Sequence, residues 1–197
     1  QDVLAVPLNG KGVMQLSPLG GTNDPEFSTG FRYFINTRST LNTPPVITLH
    51  NSKGKQIKLL KDNTKLAATV KEYGLVTKEF FTLTTDQGQK YPVFMTQYSG
   101  PNSNEVLDQW GGRDQLWHGM LAQKGYLVVC VDPRGTGRRG HDFRHITYGQ
   151  LGKYETIDQI ASAKWLGKQP YVDATRIGIQ GWSYGGYMSS LCITKGA

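Results

Sequence analysis

The chain has 197 residues, of which 38% are hydrophobic and 19% are charged, and its formal net charge is +7 at pH 7. Because domains usually span roughly 100–200 residues, this length permits one large domain or two smaller or incomplete ones. Four Trp, ten Tyr and seven Phe exclude a disordered chain, and a total of two cysteines excludes a small disulfide-stapled fold.

The basic excess is spread evenly along the chain. Residues 1–90 carry 11 basic and 7 acidic side chains, and residues 91–197 carry 11 and 8. A nucleic-acid site requires a basic stripe or cluster instead. The local group Arg134, Arg138, Arg139 and Arg144 lies among glycines but lacks the Gly-Lys-Ser/Thr end of a phosphate-binding P-loop. We therefore expect no nucleic-acid partner.

No apolar run is long enough to predict a membrane span in this segment.

Residues 1–61 have the pattern of short strands separated by turns, which is typical of antiparallel β structure. The predicted strands are Val3–Pro7, Gly12–Ser17, Phe31–Thr37 and Val46–Leu49. Asn51-Ser52-Lys53-Gly54 predicts a hairpin turn. Since about four strands cannot close a barrel or a sandwich, we expect this segment to be the end of a larger β structure.

Residues 62–74 predict a linker helix with Asp62 or Asn63 as its N-cap and Gly74 as its stop. After this helix, predicted strands alternate with predicted helices. The strands are Thr77–Thr84, Tyr91–Tyr98, Leu127–Val131 and Arg176–Gln180, and the helices span about residues 114–124, 155–167 and 183–194. Such alternation predicts a mostly parallel sheet. The apolar runs Val128–Val131 and Ile177–Ile179 predict strands that are buried on both faces.

The segment Gly181-Trp182-Ser183-Tyr184-Gly185-Gly186 follows a predicted strand and precedes a predicted helix. This is the context of a Gly-x-Ser-x-Gly nucleophile elbow, whose tight turn requires small residues two positions before and after the serine. The elbow would expose the Ser183 hydroxyl near the N-terminus of a helix, where developing negative charge is favoured. The additional Gly186 is expected to allow close packing.

Tyr98 ends the predicted strand Tyr91–Tyr98, and open α/β sheets bind ligands at the carboxyl ends of their strands. Its phenol and the backbone N–H of Tyr184 can both donate a hydrogen bond to an oxyanion. On position alone, Tyr98 is more typical of a packing tyrosine than of an oxyanion donor.

Three segments together resemble the prolyl oligopeptidase family of serine peptidases. They are Gly181 to Met188 (GWSYGGYM), Tyr98-x-Gly100-Pro101 and Asp132-x-Arg134-Gly135-x-Gly137. Leu151-Gly152, Asp158-Gln159 and Tyr171-Val172-Asp173 are most similar to the dipeptidyl peptidase IV branch in its bacterial form. The resemblance implies an α/β fold, namely the N-terminal half of an α/β-hydrolase sheet preceded by the last strands of a β-propeller. Residues 1–61 would then end the propeller, residues 62–74 would form the linker helix, and residues 75–197 would begin the catalytic domain.

Carried over residue by residue, the resemblance makes Ser183 the catalytic nucleophile. It makes the Tyr98 hydroxyl and the Tyr184 amide the oxyanion hole, and the Tyr184 ring a wall of the proline pocket. Trp182 is expected to pack beneath the elbow. For the loop from Asp132 to Gly137, we favour a structural role, in which glycines adopt positive φ and arginines pair with carboxylates, over a catalytic one.

The activity implied by the resemblance is release of N-terminal X-Pro dipeptides through an acyl-enzyme. The implied substrate is a peptide with proline near its N-terminus. The resemblance implies neither a cofactor nor a metal for the reaction. A prolyl tripeptidyl peptidase, an acylaminoacyl peptidase, a prolyl oligopeptidase and a non-enzymatic interaction homologue remain open. A lipase or esterase is disfavoured, because Tyr98-x-Gly100-Pro101 replaces a His-Gly-Gly-Gly type oxyanion loop. The resemblance also implies a periplasmic, cell-envelope or secreted location and leaves a homodimer open.

An α/β hydrolase carries its catalytic triad in the order Ser, then Asp or Glu, then His. All four histidines precede Ser183, and only 14 residues follow it; the histidines are His50, His118, His141 and His145. We therefore expect the acid and the base to lie beyond Ala197, and residues 1–197 to be inactive by themselves.

Overall fold

The computed structural model describes residues 1–80 and 91–196, and contacts divide the chain into two compact units. The first, here the β unit, comprises residues 1–80 and 107–117. The second, here the α/β unit, comprises residues 91–106 and 118–196 of the described chain. Each unit has a core of its own. The core residues are Val3, Leu16 and Phe34 in the β unit and Val93, Met95, Leu166, Tyr171 and Val172 in the α/β unit.

The β unit is antiparallel throughout its sheets. Its elements are β1 (Leu4–Ala5), β2 (Met14–Gln15), β3 (Thr22–Phe27), β4 (Tyr33–Thr40), β5 (Thr43–Asn51), β6 (Gln56–Lys61) and the helix α1 (Thr64–Glu72). β1 pairs with β2, and β3 to β6 form one four-stranded sheet in chain order. The four predicted strands overlap β1, β2, β4 and β5, so the antiparallel pattern predicted for residues 1–61 is confirmed.

The predicted hairpin turn joins β5 to β6. The side-chain oxygen of Asn51 accepts hydrogen bonds from the amides of Lys53 and Lys55, both at 3.0 Å. Gly54 has a φ of +78°, and a Cβ at this position would lie 2.7 Å from the carbonyl oxygen of Leu16. Glycine is therefore required here both by the backbone conformation and by the close approach of the Leu16 backbone.

Two strands and one turn of the β unit differ from the sequence prediction. β3 was not predicted; it contains Pro25 in its middle, and it is an edge strand, where a residue without an amide N–H is tolerated. β6 lies at the opposite edge and is exposed along its whole length, so it lacks the alternation of a half-buried strand. Phe31 was predicted to begin a strand, but it ends a 3₁₀ turn with a φ of +53°, and β4 begins at Tyr33.

A carboxylate distant in sequence brings residues 107–117 into the β unit. The side chain of Asp108 accepts hydrogen bonds from the amides of Gly21, at 2.9 Å, and Leu41, at 2.8 Å. The amide of Trp110 donates to the Ser39 hydroxyl at 3.2 Å. No local sequence pattern predicts these contacts, because the hydrogen-bonded residues are 67 to 87 positions apart in the chain.

The predicted helix at residues 62–74 is confirmed as α1. Asn63 occupies the N-cap without a capping bond from its side chain, and the neighbouring Asp62 carboxylate accepts from the amide and the hydroxyl of Thr64. These two hydrogen bonds lower the pKa of Asp62. Gly74, with a φ of +61°, follows the helix and donates its N–H to the Lys71 carbonyl, as expected of a C-terminal stop.

Strands and helices alternate in the remainder of the chain. The elements are β7 (Tyr91–Thr96), α2 (Arg113–Gln123), β8 (Leu127–Cys130), α3 (His141–His145), α4 (Tyr154–Leu166), β9 (Val172–Gln180) and α5 (Tyr184–Gly196). β7 lies between β8 and β9 and is parallel to both, which confirms the predicted parallel sheet. The short helix α3 was not predicted. The predicted strand Thr77–Thr84 is wrong over residues 77–80, which have no regular structure, and residues 81–84 lie outside the described residues.

Burial in the parallel sheet differs from the prediction. Val93 and Met95 of β7 are each 2% exposed, whereas β8 is half-buried along its length and Gly178 of β9 is exposed. The prediction that Val128–Val131 and Ile177–Ile179 are buried on both faces is therefore wrong. In the described sheet these runs lie on the edge strands β8 and β9. The most buried strand is β7, which pairs with a neighbour on each side.

The first half of β9 contains a turn. Val172 pairs with β7, and pairing resumes only at Ile177, so that the residues between them loop out. The carboxylate of Asp173 accepts from the amide and hydroxyl of Thr175 at 3.0 and 2.7 Å, and from Nε of Arg176 at 2.8 Å. These hydrogen bonds lower the pKa of Asp173 to about 2. The charged carboxylate therefore stabilises this turn.

Asp173→Asn in the full-length protein is expected to loosen this turn at neutral pH and to matter less in acid. The folded pKa of about 2 lies below the unfolded value of about 3.9, so the stabilisation is present above about pH 4 and is lost as the pH falls towards 2. Hydrogen exchange of the amides of residues 171–180, compared with wild type at about pH 7 and about pH 3, measures this. Asp24→Asn, at an exposed position of β3, is the control. A difference of equal size at both pH values contradicts the assignment.

Candidate active site

The turn between β9 and α5 has the geometry expected of a nucleophile elbow. β9 ends at Gln180, α5 begins at Tyr184, and Ser183 between them has a φ of +54°. This left-handed conformation costs a residue other than glycine about 1–3 kcal/mol, so the surrounding contacts must maintain it. The Ser183 side chain is exposed immediately before the N-terminus of α5.

Glycines flank Ser183 because backbone atoms lie where their side chains would stand. A Cβ on either Gly181 or Gly185 would lie 2.5 Å from the carbonyl oxygen of Gln97. A Cβ on Gly181 would also lie 2.5 Å from the carbonyl carbon of Gly185. Real Cβ atoms do not approach a backbone atom so closely. The predicted requirement for small residues two positions before and after the serine is therefore confirmed.

Gly186 does not share this constraint. The nearest atom that its Cβ would meet in the described part of the chain is the carbonyl oxygen of Gly181, at 3.5 Å, which is an ordinary contact. The expectation that Gly186 allows close packing is therefore wrong. Gly186 is therefore a suitable comparison for Gly181 and Gly185, which are constrained.

Strand β7 ends beside the elbow. Thr96 pairs with Gln180, and the amide of Gln97 donates to the Gln180 carbonyl at 3.1 Å. Tyr98 and Ser183 thus follow the adjacent carboxyl ends of two parallel strands, which is where open α/β sheets bind ligands. Tyr98 is half-buried, and its ring covers Gly100 so closely that a Cβ there would collide with the ring.

A buried amide joins this strand end to α5. Gln97 is 5% exposed, and its Nε2 donates to the carbonyl of Gly185 at 2.8 Å and to the hydroxyl of Ser189 at 3.1 Å. Its Oε1 accepts from the Ser99 hydroxyl at 2.7 Å, which in turn accepts from Gln159 of α4 at 3.0 Å. No sequence motif predicted a role for Gln97. A polar residue at the end of an otherwise apolar strand was the available signal, since a buried amide requires partners.

The residue after Ser183 contributes a backbone donor and an aromatic ring. The amide N–H of Tyr184 has no acceptor among the described residues, because it begins α5. The Tyr184 ring lies 6.2 Å from the Tyr98 ring and 5.4 Å from the Tyr187 ring, between centroids, the latter in an edge-on arrangement. Its phenol donates to Oε1 of Glu155 at 2.8 Å. Burial, and then this hydrogen bond, raise the pKa of Tyr184, so the phenol stays neutral.

Trp182 does not lie where it was expected. Its side chain is 84% exposed in the described chain, so the expectation that it packs beneath the elbow is wrong. The space beneath the elbow is instead taken by backbone, since the Gln97 carbonyl approaches Gly181 and Gly185 directly.

The arginine and glycine loop after β8 is held by carboxylates. Nε and Nη2 of Arg134 donate to the two carboxylate oxygens of Asp158 at 2.6 to 3.0 Å, and the guanidinium lies 4.8 Å from the Tyr154 ring centroid. Gly135 has a φ of +98°, and the Asp132 carboxylate accepts from two backbone amides of residues 105 and 106. The predicted pairing with carboxylates is therefore confirmed for Arg134.

None of the four histidines lies in the elbow or on the two strands that end beside it. His50 is in β5, His118 in α2, and His141 and His145 stack on each other in α3 with their centroids 4.0 Å apart. Within residues 1–80 and 91–196, none of them is hydrogen-bonded to Ser183. The same residues contain no group of three or more His, Cys, Asp or Glu side chains that could hold a metal ion.

Comparison with known proteins agrees with this geometry. Residues 116–197 match the prolyl oligopeptidase family. The crystal structure of Porphyromonas gingivalis dipeptidyl peptidase 4 superposes with a TM-score of 0.92 and 44% identity, over 99% of this chain and 30% of that one. The chain is therefore similar, over nearly its whole length, to part of members of the prolyl oligopeptidase family.

Within this family, the matched proteins point to the dipeptidyl peptidase IV branch. The Emericella nidulans protein named "Probable dipeptidyl-aminopeptidase B" is 36% identical over 92% of this chain and 22% of its own length. A Pyrenophora teres protein of the same name is 37% identical over 93% of this chain and 22% of its own length. The chain therefore spans between about a fifth and a third of the length of these family members. None of the helices in the two described ranges combines the length and hydropathy that a membrane-spanning segment needs.

Gly185→Ala in the full-length family member is expected to destabilise the elbow and to abolish reaction of Ser183 with a fluorophosphonate. The added Cβ would lie 2.5 Å from the Gln97 carbonyl oxygen, and overpacking of this kind costs about 1–3 kcal/mol. Gly186→Ala, whose Cβ has ordinary contacts, is the matched control and is expected to label like wild type. Thermal unfolding and the rate of labelling measure the two effects. Equal labelling of both variants contradicts this account of the elbow.

Proposed function

We propose that the chain is part of a serine peptidase that releases dipeptides from the N-terminus of its substrates, preferably after proline. The observation that carries the proposal is the juxtaposition of Tyr98 and Ser183 at the carboxyl ends of two neighbouring parallel strands. The names of the relatives, dipeptidyl peptidase 4 and dipeptidyl-aminopeptidase B, support the same activity.

In the proposed reaction, the general base takes the proton of the Ser183 hydroxyl as Oγ attacks the carbonyl carbon of the second substrate residue, which forms a tetrahedral intermediate. The Tyr98 hydroxyl and the Tyr184 amide N–H donate hydrogen bonds to the resulting oxyanion. The intermediate collapses to an acyl-enzyme on Ser183 as the amine of the remaining peptide leaves with a proton from the general base. Water then releases the dipeptide and restores the serine. The ring of Tyr184 forms one wall of the pocket for proline.

We assign the triad acid and the histidine base to sequence beyond Ala197. In an α/β hydrolase both follow the serine in the chain, and the four histidines present precede it. A serine without its base has only the weak nucleophilicity of an ordinary alcohol.

The domain assignment in this proposal is a propeller end in residues 1–61, a linker helix in residues 62–74 and a catalytic domain from residue 75. The sequential pairing of β3 to β6 supports the first part, since neighbouring strands in a propeller blade pair in this way. The association of residues 107–117 with the β unit was not foreseen. Export to the periplasm, the cell envelope or the medium and assembly into a homodimer rest on resemblance alone.

The residues that select substrate length are not among those assigned here. A prolyl tripeptidyl peptidase, an acylaminoacyl peptidase and a prolyl oligopeptidase would use the same elbow and the same oxyanion donors. Hydrolysis of matched di-, tri- and N-acylated peptides by the full-length protein separates them. A protein in which Ser183 fails to react with a fluorophosphonate would instead be a non-enzymatic interaction homologue.

Tyr98→Phe in the full-length protein is expected to lower kcat for a Gly-Pro anilide about 10²–10³-fold, with a smaller change in KM. This is the usual cost of removing one oxyanion donor. Tyr148→Phe, which alters a tyrosine that is 86% exposed, is the matched control and should retain wild-type kcat. If Tyr98→Phe also retains wild-type kcat, Tyr98 is a packing tyrosine and the proposed oxyanion hole is wrong.

Residues 1–197 expressed alone are expected to hydrolyse a Gly-Pro or Ala-Pro anilide no faster than the same segment with Ser183→Ala. The physical reason is that no histidine of the described residues is hydrogen-bonded to Ser183 to accept its proton during attack, so the serine has only the weak nucleophilicity of an alcohol. A steady-state assay of the two segments, with circular dichroism to compare their folding, measures this. Hydrolysis that depends on Ser183 would show that a base is present within the segment.

A further inference from the structure

The α/β unit buries a carboxylate that forms no ion pair with any cationic side chain of the described residues. Glu155, the second residue of α4, is 0% exposed and belongs to none of the ion pairs in the described part of the chain. Its Oε2 has no hydrogen-bond partner among the described residues, and its Oε1 accepts from the Tyr184 phenol at 2.8 Å. A buried carboxylate with unused hydrogen-bonding capacity reduces stability, and such groups are often kept for function.

Tyr184, the residue after the nucleophile, is the only residue in the described ranges whose side chain is hydrogen-bonded to Glu155. The Tyr184 backbone is fixed at the first residue of α5, and its hydroxyl is fixed at the opposite end of the ring by Glu155. Between these two points the ring lies among Tyr98 and Tyr187. A hydrogen bond to a carboxylate is roughly twice as strong as one between neutral groups, so the ring has little rotational freedom.

We propose that Glu155 is a positioning residue that, through the Tyr184 phenol, fixes the ring beside Ser183 and so sets the preference for proline at the attacked residue. A fixed ring presents a flat wall at constant distance from the Ser183 hydroxyl, and it suits the compact pyrrolidine ring of proline, which has no freely rotating bonds. A ring that rotates would lower the reactivity of proline substrates more than that of small, flexible ones such as alanine, because small displacements from the reactive geometry are costly. The inference rests on the proposed function and adds a residue that acts through another.

A purely structural role for Glu155 predicts a different result. If the hydrogen bond only joins α4 to α5, its loss lowers thermal stability but changes reaction with proline and alanine substrates equally. The ratio of the two reactivities therefore separates positioning from stabilisation. Leu166→Val, which alters a core residue of the same helix that is 2% exposed, provides a variant with reduced stability and an unchanged Tyr184.

The experiment compares two dipeptidyl diphenyl phosphonates, one with proline and one with alanine as the second residue, on the full-length protein. Ser183 Oγ bonds to phosphorus and phenol leaves, so the second-order rate of inactivation reports reaction at the serine without requiring turnover. The variants are Glu155→Leu, Glu155→Gln, Tyr184→Phe, the double variant Glu155→Leu with Tyr184→Phe, and Leu166→Val. The same ratio is measured as kcat/KM on Gly-Pro and Gly-Ala anilides.

Loss of this hydrogen bond is expected to lower the proline-to-alanine ratio about tenfold in Glu155→Leu and in Tyr184→Phe, within the range for a hydrogen bond to a charged group. The double variant should resemble either single one, because the two groups act through one bond. Glu155→Gln, which keeps an acceptor, should remain within about threefold of wild type, and Leu166→Val should not change the ratio.

An unchanged ratio in Tyr184→Phe, or additive losses in the double variant, overturns the inference even if Glu155→Leu does not fold. In that case, a wild-type protein that still reacts with the phosphonates and cleaves the anilides leaves the proposed function intact. A wild-type protein that reacts with neither phosphonate overturns both. One that reacts with the phosphonates but cleaves no anilide overturns the proposed peptidase activity alone, and the ratio of inactivation rates still decides the role of Glu155.

Discussion

The carbonyl oxygen of Gln97 determines how closely the end of β7 can approach the turn before α5. It lies 2.5 Å from the place where a Cβ would stand on Gly181 and on Gly185, so both positions must be glycine. The same residue donates its backbone N–H to Gln180 and its side-chain amide to Gly185 and Ser189. One residue thus fixes the elbow from two sides. Since Tyr98 is the next residue, the placement of the proposed oxyanion donor follows from the same contact.

The site lies on polar groups that cost stability when they are buried. Gln97, Ser99, Glu155 and Gln159 are each at most 5% exposed, and side-chain oxygens of Glu155 and Gln159 have no partner among the described residues. An apolar floor would pack with fewer penalties. The hydrogen bonds of these polar residues instead hold Tyr98, Tyr184 and the strained Ser183 in one conformation each. This is the usual exchange of stability for a fixed reactive geometry.

The sequence predicted the elements whose signals are local. The glycines around Ser183, the turn at Asn51 and the parallel alternation after residue 75 could all be inferred, because steric and pattern rules act over a few residues. Features that depend on distant partners could not. Pro25 is tolerated in β3 because β3 is an edge strand. Asp108 binds amides more than 60 positions away. The role of Gln97 is visible only from its hydrogen bond to Gly185. The exposure of Trp182 also contradicts the expectation, taken from the resemblance, that it packs beneath the elbow.

The proposed mechanism requires the Tyr98 hydroxyl and the Tyr184 amide to converge on one oxygen beside Ser183. A crystal structure of the full-length protein inactivated by a dipeptidyl diphenyl phosphonate tests this most directly, because the phosphonyl oxygen occupies the position of the oxyanion. We expect this oxygen to lie about 2.7–3.1 Å from both the Tyr98 hydroxyl and the Tyr184 nitrogen, with phosphorus bonded to Ser183 Oγ. A phosphonyl oxygen directed away from either donor, or an adduct on another residue, would contradict it.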